Sequence, residues 1–352
     1  MKILMVTGGT GGHIYPALAL ADYIKEHKGY EVTFVGNEDR MEATLIPNQG
    51  YAFYGLKTSG LAGSVFSKIK AVLQSVRAIS KAKQLLKKEN PDVIVAFGGY
   101  VSLPVCIAAK KLHKKVILHE QNSIAGKANK MASAYADCVI ICYENARKDF
   151  PKNKVLLLGN PRATLASKHA FDQQAFAALG MDTSKPLGLI VMGSLGSSSV
   201  ADRLKDMLPK IQEVNFLYVA GKNNVESAKA LEANNVKVVD YVDQLAIIDA
   251  FDFVICRAGA TTAAELAASG TLSILIPSPY VANNHQYYNA KAMVDDGYAF
   301  MIEEKNLDEK ELRRDIDAYI NEPVLVDEMK KAAIAHGFQD ACANIVEVIE
   351  QI

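Results

Sequence analysis

The sequence predicts an α/β protein built as two Rossmann-like, doubly wound parallel-sheet domains. Three observations lead there. Short apolar, β-rich runs alternate with longer amphipathic ones at the spacing of βαβ units. The same rhythm restarts after residue 185. Each half also opens with a buried strand that runs into a glycine-rich turn, at residues 6–12 and again at 191–197. In the first half, strands are expected at residues 2–7, 31–35, 93–96, 116–119, 138–142 and 155–158. In the second they are expected at 187–192, 216–220, 236–240, 253–256 and 272–276. Helical patterns fill the gaps. Gly159-Asn160-Pro161-Arg162 closes the first half, and a polar linker follows around residues 167–174, which sets domains at 1–161 and 162–337. Three helical patterns follow Asn306; the last, within 338–352, is expected to pack back on the first domain.

At 352 residues the chain is long enough for two cores, and with 39 basic against 39 acidic residues it carries no global charge that would select a polyanionic partner. Locally the balance fails. Residues 43–88 contain no Asp or Glu but hold Lys57, Lys68, Lys70, Arg77, Lys81, Lys83, Lys87 and Lys88. An apolar helical stripe of Ile69, Val72, Leu73 and Val76 lies inside that segment, preceded by a glycine-rich stretch ending at Phe66. Such stripes usually face a core, yet the missing acids favour an anionic bilayer surface, where each Lys or Arg contributes about 1 kcal/mol. Nucleic acid is not expected, because no aromatic platform or basic recognition motif accompanies the charge. The apolar run after Met1 breaks at glycines, unlike a signal peptide. The longest apolar stretch, 93–109, is interrupted by Gly98, Gly99 and Pro104 and is too short to span a bilayer. A cytoplasmic, at most peripheral protein is therefore expected. Cys106, Cys138, Cys142, Cys256 and Cys342 lack metal-type spacing and read as buried thiols of a reducing compartment.

Gly8, Gly9, Gly11 and Gly12 lie between a strand and a helix, where backbone N–H groups and the helix dipole can hold an anion; a plain tight turn is the alternative. The spacing matches neither a dinucleotide fingerprint nor a P-loop. His13 would feel the positive end of the helix, which favours a neutral imidazole able to accept a proton, although a structural histidine suits the same place. The second turn, with Ser194, Gly196, Ser197, Ser198 and Ser199, offers hydroxyls and amides without a cation, as suits a diphosphate held by dipoles. Near the end of a later strand, CysArgAlaGlyAlaThrThrAlaAlaGlu at 256–265 opens another helix, with Glu265 placed either to accept ribose hydroxyls or to face solvent. Asn283, Asn284, His285 and Gln286 follow two prolines in a loop suited to sugar hydroxyls. HisGluGlnAsn at 119–122 ends a strand, where open α/β sheets place ligands.

Taken together, GlyGlyThrGlyGlyHis at 8–13, GlyGlyTyrValSer at 98–102, HisGluGlnAsn at 119–122, GlyAsnProArg at 159–162, CysArgAlaGlyAla at 256–260 and HisGlnTyrTyrAsnAla at 285–290 resemble the MurG family. Its members are N-acetylglucosaminyltransferases that convert lipid I to lipid II in bacterial peptidoglycan synthesis, and the resemblance spans the whole chain. It departs at Leu195, where the family often has Gln, and at Leu103, where it often has Gly. The resemblance implies a GT-B fold with donor nucleotide mainly in the second domain, acceptor in the first and chemistry in a cleft where they face. It would place Ser194 at the diphosphate and Val242 by the uracil. Arg257 and the turn Ala260, Thr261, Thr262, Ala263, Ala264 would meet the nucleotide, Glu265 the ribose hydroxyls and Gln286 the sugar. Thr10, Gly11, Gly12, Asn122 and Arg162 would complete the donor and acceptor site. Gly98, Gly99 and Tyr100 are expected on the acceptor side, and Phe66, Lys68, Ile69, Lys70, Leu73 and Arg77 at the membrane.

The implied partners are UDP-N-acetylglucosamine, an undecaprenyl-linked muramoyl-pentapeptide, the anionic cytoplasmic face of the cell membrane and, through cell-wall biogenesis, other cell-wall enzymes. His13 is the first expectation for the general base and Glu120 the second. No essential metal is expected, since no DxD-like motif follows a strand. Two other readings share the donor site: a UDP-N-acetylglucosamine epimerase, which needs no lipid acceptor, and a non-catalytic UDP-sugar-binding regulator.

Overall fold

The computed structural model describes all residues except 60–64, 194–195 and 222–223, with backbone alone for 65–73 and 227. Chain contacts divide it into two compact units, Met1–Thr164 with Asp340–Ile352, and Leu165–Gln339. The first division falls three residues beyond the expected Pro161, inside a helix.

Unit 1 runs β1 Lys2–Val6, α1 Gly11–Lys28, β2 Glu31–Asn37, α2 Glu42–Asn48, β3 Ala52–Leu56, α3 Val65–Glu89, β4 Val93–Ala96, α4 Ser102–Lys111, β5 Lys115–Glu120, α5 Lys127–Ala132, β6 Cys138–Ile141, β7 Val155–Leu157 and α6 Pro161–Ser167. Its seven strands are ordered β3-β2-β1-β4-β5-β6-β7, and each neighbouring pair is parallel. Along β1, Leu4 and Val6 enter the core on one face and Ile3 and Met5 the core on the other. Burial on both faces explains why these strands read as continuous apolar runs. β3 is absent from the sequence expectation. It is an edge strand with a glycine inside, embedded in the basic segment, and its alternation is weak.

Unit 2 follows with α7 Gln173–Ala178, β8 Leu187–Val191, α8 Ser198–Leu204, β9 Asn215–Val219, α9 Val225–Ala228, β10 Val236–Val239, α10 Gln244–Ile247, β11 Phe253–Cys256, α11 Ala260–Ser269, β12 Ser273–Leu275, α12 His285–Asp295, β13 Phe300–Met301, α13 Glu309–Asn321 and α14 Pro323–Ala335. The sheet order is β10-β9-β8-β11-β12-β13, again parallel throughout. The two-residue β13 also escapes the sequence reading. The last helix, α15 Ala341–Gln351, sends Cys342, Ile345, Val346 and Ile349 into the core that α1 covers in unit 1. The Cys342 N–H donates to Thr164 Oγ1 at 3.0 Å and fastens its start there.

In both sheets the strand order reverses beside the first strand of the unit: between β1 and β4, and between β8 and β11. Open α/β sheets bind ligands beyond the strand ends at such a switch point. The two glycine-rich turns, the 98–102 motif and the 257–260 motif all follow those four strands.

Candidate active-site loops

In unit 1 three loops meet beyond β1, β4 and β5. Thr10 ends the glycine turn in extended backbone and α1 starts at Gly11, which puts His13 in its first turn. Thr10 Oγ1 lies 3.0 Å from His13 Nδ1. The other side of the imidazole closes on the 98–102 loop. Gly98 has φ +116°, and a Cβ built there would fall 2.4 Å from His13 Cδ2 and 2.6 Å from Nε2. Gly99 has φ +82°, and its Cβ would fall 2.4 Å from the Gly8 carbonyl oxygen. The two glycines are therefore required by close approach as well as by backbone conformation.

The glycine turn is held from below by a residue that sequence reasoning missed. Glu42, fully buried at the start of α2, accepts from the Gly9 N–H at 3.3 Å, the Asn37 N–H at 3.0 Å and Asn37 Nδ2 at 2.7 Å. Asn37 Oδ1 in turn accepts from the Thr58 hydroxyl. The Gly9 amide, expected to face a bound anion, is thus engaged by the protein's own carboxylate. A glutamate five residues beyond a strand end carries no local sequence signal for this task.

The 119–122 stretch also turns inward. Glu120 is buried and accepts from Asn122 N at 3.0 Å, Asn122 Nδ2 at 3.2 Å, Gly126 N at 2.9 Å and Asn129 Nδ2 at 2.8 Å. Burial raises its pKa despite those donors. Glu120, the second expectation for the base, thus braces the loop that carries Asn122. His119 is fully buried, with Nε2 3.0 Å from the Gly159 carbonyl oxygen and Nδ1 3.0 Å from Gln121 Nε2. Burial lowers its pKa to about 4, so it stays neutral and ties the end of β5 to the 159–162 stretch. There the Arg162 N–H donates to Asn160 Oδ1 at 3.0 Å as α6 begins. Asn129, also missed, sets its Oδ1 3.3 Å from the position of the Gly98 Cβ, and so links Glu120 to the His13 pocket. Tyr100 is exposed at the tip of its loop.

Of the expected membrane residues, the side chains of Phe66, Lys68, Ile69, Lys70 and Leu73 lie outside the described ones, although α3 covers their backbone. Farther along α3, Ala78, Ala82 and Leu86 face the core, whereas Val76 is 60% exposed beside exposed Arg77. Val76 therefore does not face this core. Among the described residues no helix is long and apolar enough to cross a membrane, and all five cysteines are buried free thiols.

In unit 2, Arg257 at the end of β11 is buried and pairs with buried Glu304 at 2.7 Å. It donates to the Ile276 carbonyl oxygen at 3.0 Å and to Ser197 Oγ at 2.6 Å. The serine-rich turn thus meets a cation after all, one whose charge Glu304 already matches. Arg257, expected at the nucleotide, is engaged within the protein by Glu304, Ser197 and Ile276. Gly259 caps α11 without a side-chain bond to the helix amides, so Ala260, Thr261, Thr262, Ala263, Ala264 and Glu265 form a 10-residue helix's first turns behind that end. The Thr261 hydroxyl is buried with no hydrogen-bond partner among the described residues. Gln286 Oε1 accepts from the Ser278 N–H at 2.8 Å, and Asn289 Nδ2 donates to the Ala258 carbonyl oxygen at 3.2 Å, so α12 braces both neighbouring loops. Val242, half-buried past β10, packs against one core of this unit. Ser194 lies outside the described residues.

The model of the glycosyltransferase family 28 N-terminal domain matches residues 3–141, and that of the family 28 C-terminal domain matches 188–345. A UDP-N-acetylglucosamine--N-acetylmuramyl-(pentapeptide) pyrophosphoryl-undecaprenol N-acetylglucosamine transferase from Bacillus cytotoxicus is 38% identical, covering 100% of this chain and 99% of that protein. The chain belongs to the MurG family of glycosyltransferases. The crystal structure of Acinetobacter baumannii MurG superposes with a TM-score of 0.82 at 28% identity, over 100% of this chain and 99% of that one. The two parallel-sheet units are accordingly those of a GT-B glycosyltransferase. A UDP-GlcNAc 2-epimerase from Neisseria meningitidis, bound to UDP-GlcNAc, shares the fold alone, with a TM-score of 0.72 at 14% identity over 100% of both chains.

Proposed function

We propose that the protein transfers N-acetylglucosamine from UDP-N-acetylglucosamine to the C4 hydroxyl of undecaprenyl-diphospho-N-acetylmuramoyl-pentapeptide, the step from lipid I to lipid II. The observation that carries this reading is identity of 38%, across the whole chain, to a transferase named for that reaction. In the reaction the C4 oxygen attacks the anomeric carbon, the bond to the UDP oxygen breaks with inversion, and the hydroxyl proton passes to a base. His13 suits that task. If its Nδ1–H donates to the Thr10 hydroxyl, 3.0 Å away, Nε2 carries the lone pair. Negative charge growing on the departing diphosphate suits the amide end of α11, a preorganised dipole of the kind that usually contributes most to such catalysis. The transfer then needs no essential metal. Val76 and Arg77, exposed on α3 of the acid-free segment, support docking on the anionic cytoplasmic face of the membrane.

The test is transfer of labelled sugar to the lipid-linked acceptor with EDTA present, with free UDP and donor epimerisation followed in parallel. Lipid-dependent transfer that survives EDTA is expected. Epimerised donor without transfer would replace the reading with an epimerase, and UDP binding with neither reaction would replace it with a regulator.

A further inference from the structure

Around the end of β11, four side chains close a ring that no chemistry above requires. Arg257 Nη2 donates to Ser197 Oγ at 2.6 Å, Ser197 Oγ and Ser199 Oγ lie 3.2 Å apart, Ser199 Oγ donates to Glu304 Oε1 at 2.6 Å, and Glu304 Oε2 closes the ring as an ion pair with Arg257 Nη2 at 2.7 Å. The members come from three separate connections: the start of α8 after β8, the end of β11, and the turn after the edge strand β13. Arg257 adds the end of β12 through Ile276, and Arg203 of α8 donates to the Leu307 carbonyl oxygen at 3.2 Å, just past Glu304.

The geometry points to Glu304 as a positioning residue for the donor: it holds Arg257 and the serine turn in one arrangement on which recognition of the donor's diphosphate depends. A buried ion pair adds little net stability over apolar side chains of the same size. What this one supplies is a fixed register. Arg257 can keep its place between Ser197 and Ile276 only while Glu304 answers its charge, and Ser199 can turn toward Glu304 only while that carboxylate accepts. Neither Glu304 nor Ser199 needs to touch the ligand. The inference rests on the donor reading above.

Glu304→Gln and Ser199→Ala in the full chain test it. Ser199→Ala removes both contacts of the Ser199 hydroxyl, to Ser197 and to Glu304, without leaving a charge unpaired, so it decides the matter if Glu304→Gln does not fold. Initial rates are measured with UDP-N-acetylglucosamine and the lipid acceptor varied in turn, and equilibrium binding with UDP and UMP. The expected result is a donor KM raised roughly tenfold in Glu304→Gln, within what misplacing a binding group costs, and a smaller rise in Ser199→Ala. The acceptor KM should hold, and UDP should lose more affinity than UMP. A donor KM unchanged in the folded variants, or donor and acceptor KM rising together, overturns the positioning role. Wild-type protein that neither binds UDP nor transfers sugar would instead overturn the donor reading itself.

Discussion

Replacing Gly98 by alanine puts a methyl group where the His13 ring now lies. The new Cβ would sit 2.4 Å from Cδ2 and 2.6 Å from Nε2, against a comfortable carbon contact of roughly 3.5–4.0 Å. The ring must retreat by about 1 Å, and a shift of that size at a reacting group costs on the order of 10²-fold in rate. The backbone adds its own cost, about 1–3 kcal/mol of stability for a non-glycine residue held at positive φ. Gly9→Ala separates the two effects. Gly9 also has positive φ, +93°, yet nothing lies within 4 Å of its added Cβ. Both variants should lose similar stability in denaturant titrations, while Gly98→Ala alone loses about two orders of magnitude in kcat for lipid-dependent transfer. In a His13→Ala background, Gly98→Ala should have little further effect on rate, because the group it displaces is gone. Equal rate losses for Gly9→Ala and Gly98→Ala, or an undiminished Gly98→Ala effect without His13, would refute the reasoning.

His119 should give the protein an acid-labile limb. Its pKa is lowered from 6.5 to about 4 by burial, so the unfolded chain binds the extra proton first, and stability is complete above pH 6.5 and falls as pH drops toward 4. The loss is roughly 3 kcal/mol at most, and unfolding free energies across that range should be flatter in His119→Gln. Glu42→Gln would turn an amide donor toward the N–H groups that the carboxylate now accepts, at about 2–3 kcal/mol; an unchanged denaturant midpoint would remove Glu42 as the prop of the glycine turn. Reversing Lys68, Lys70 and Arg77 to Glu should release the protein from anionic vesicles, since each basic residue contributes about 1 kcal/mol at such a surface. Unchanged co-sedimentation would count against docking through α3.

Strands such as β1 and β11 were legible because they are buried on both faces, which leaves a run of apolar residues with no competing pattern. β3 and β13 were not: β3 is mostly half-buried or exposed and carries a glycine, and β13 is two half-buried residues, so neither leaves an apolar run, unlike the other edge strands β7 and β10. The ligand-side loops were legible for a different reason. A glycine turn between strand and helix is a local device, and Thr10, Gly11, Gly12 and His13 lie consecutively in it.

The sequence by itself determined the two parallel sheets, the position of each glycine turn at a strand end, the family, and the buried thiols. All of these follow from short-range periodicity or from motifs contiguous in the chain. Only the tertiary structure decided what the polar residues near those turns do. Glu42 fills the amide that an anion was expected to take, Glu120 braces the loop that carries Asn122, and Glu304 claims the charge of Arg257 from 47 residues away. A buried carboxylate must find donors wherever the fold supplies them. Its partners are fixed by which strand ends become neighbours, and that order, β3-β2-β1-β4-β5-β6-β7 in one sheet and β10-β9-β8-β11-β12-β13 in the other, is a property of the assembled sheets.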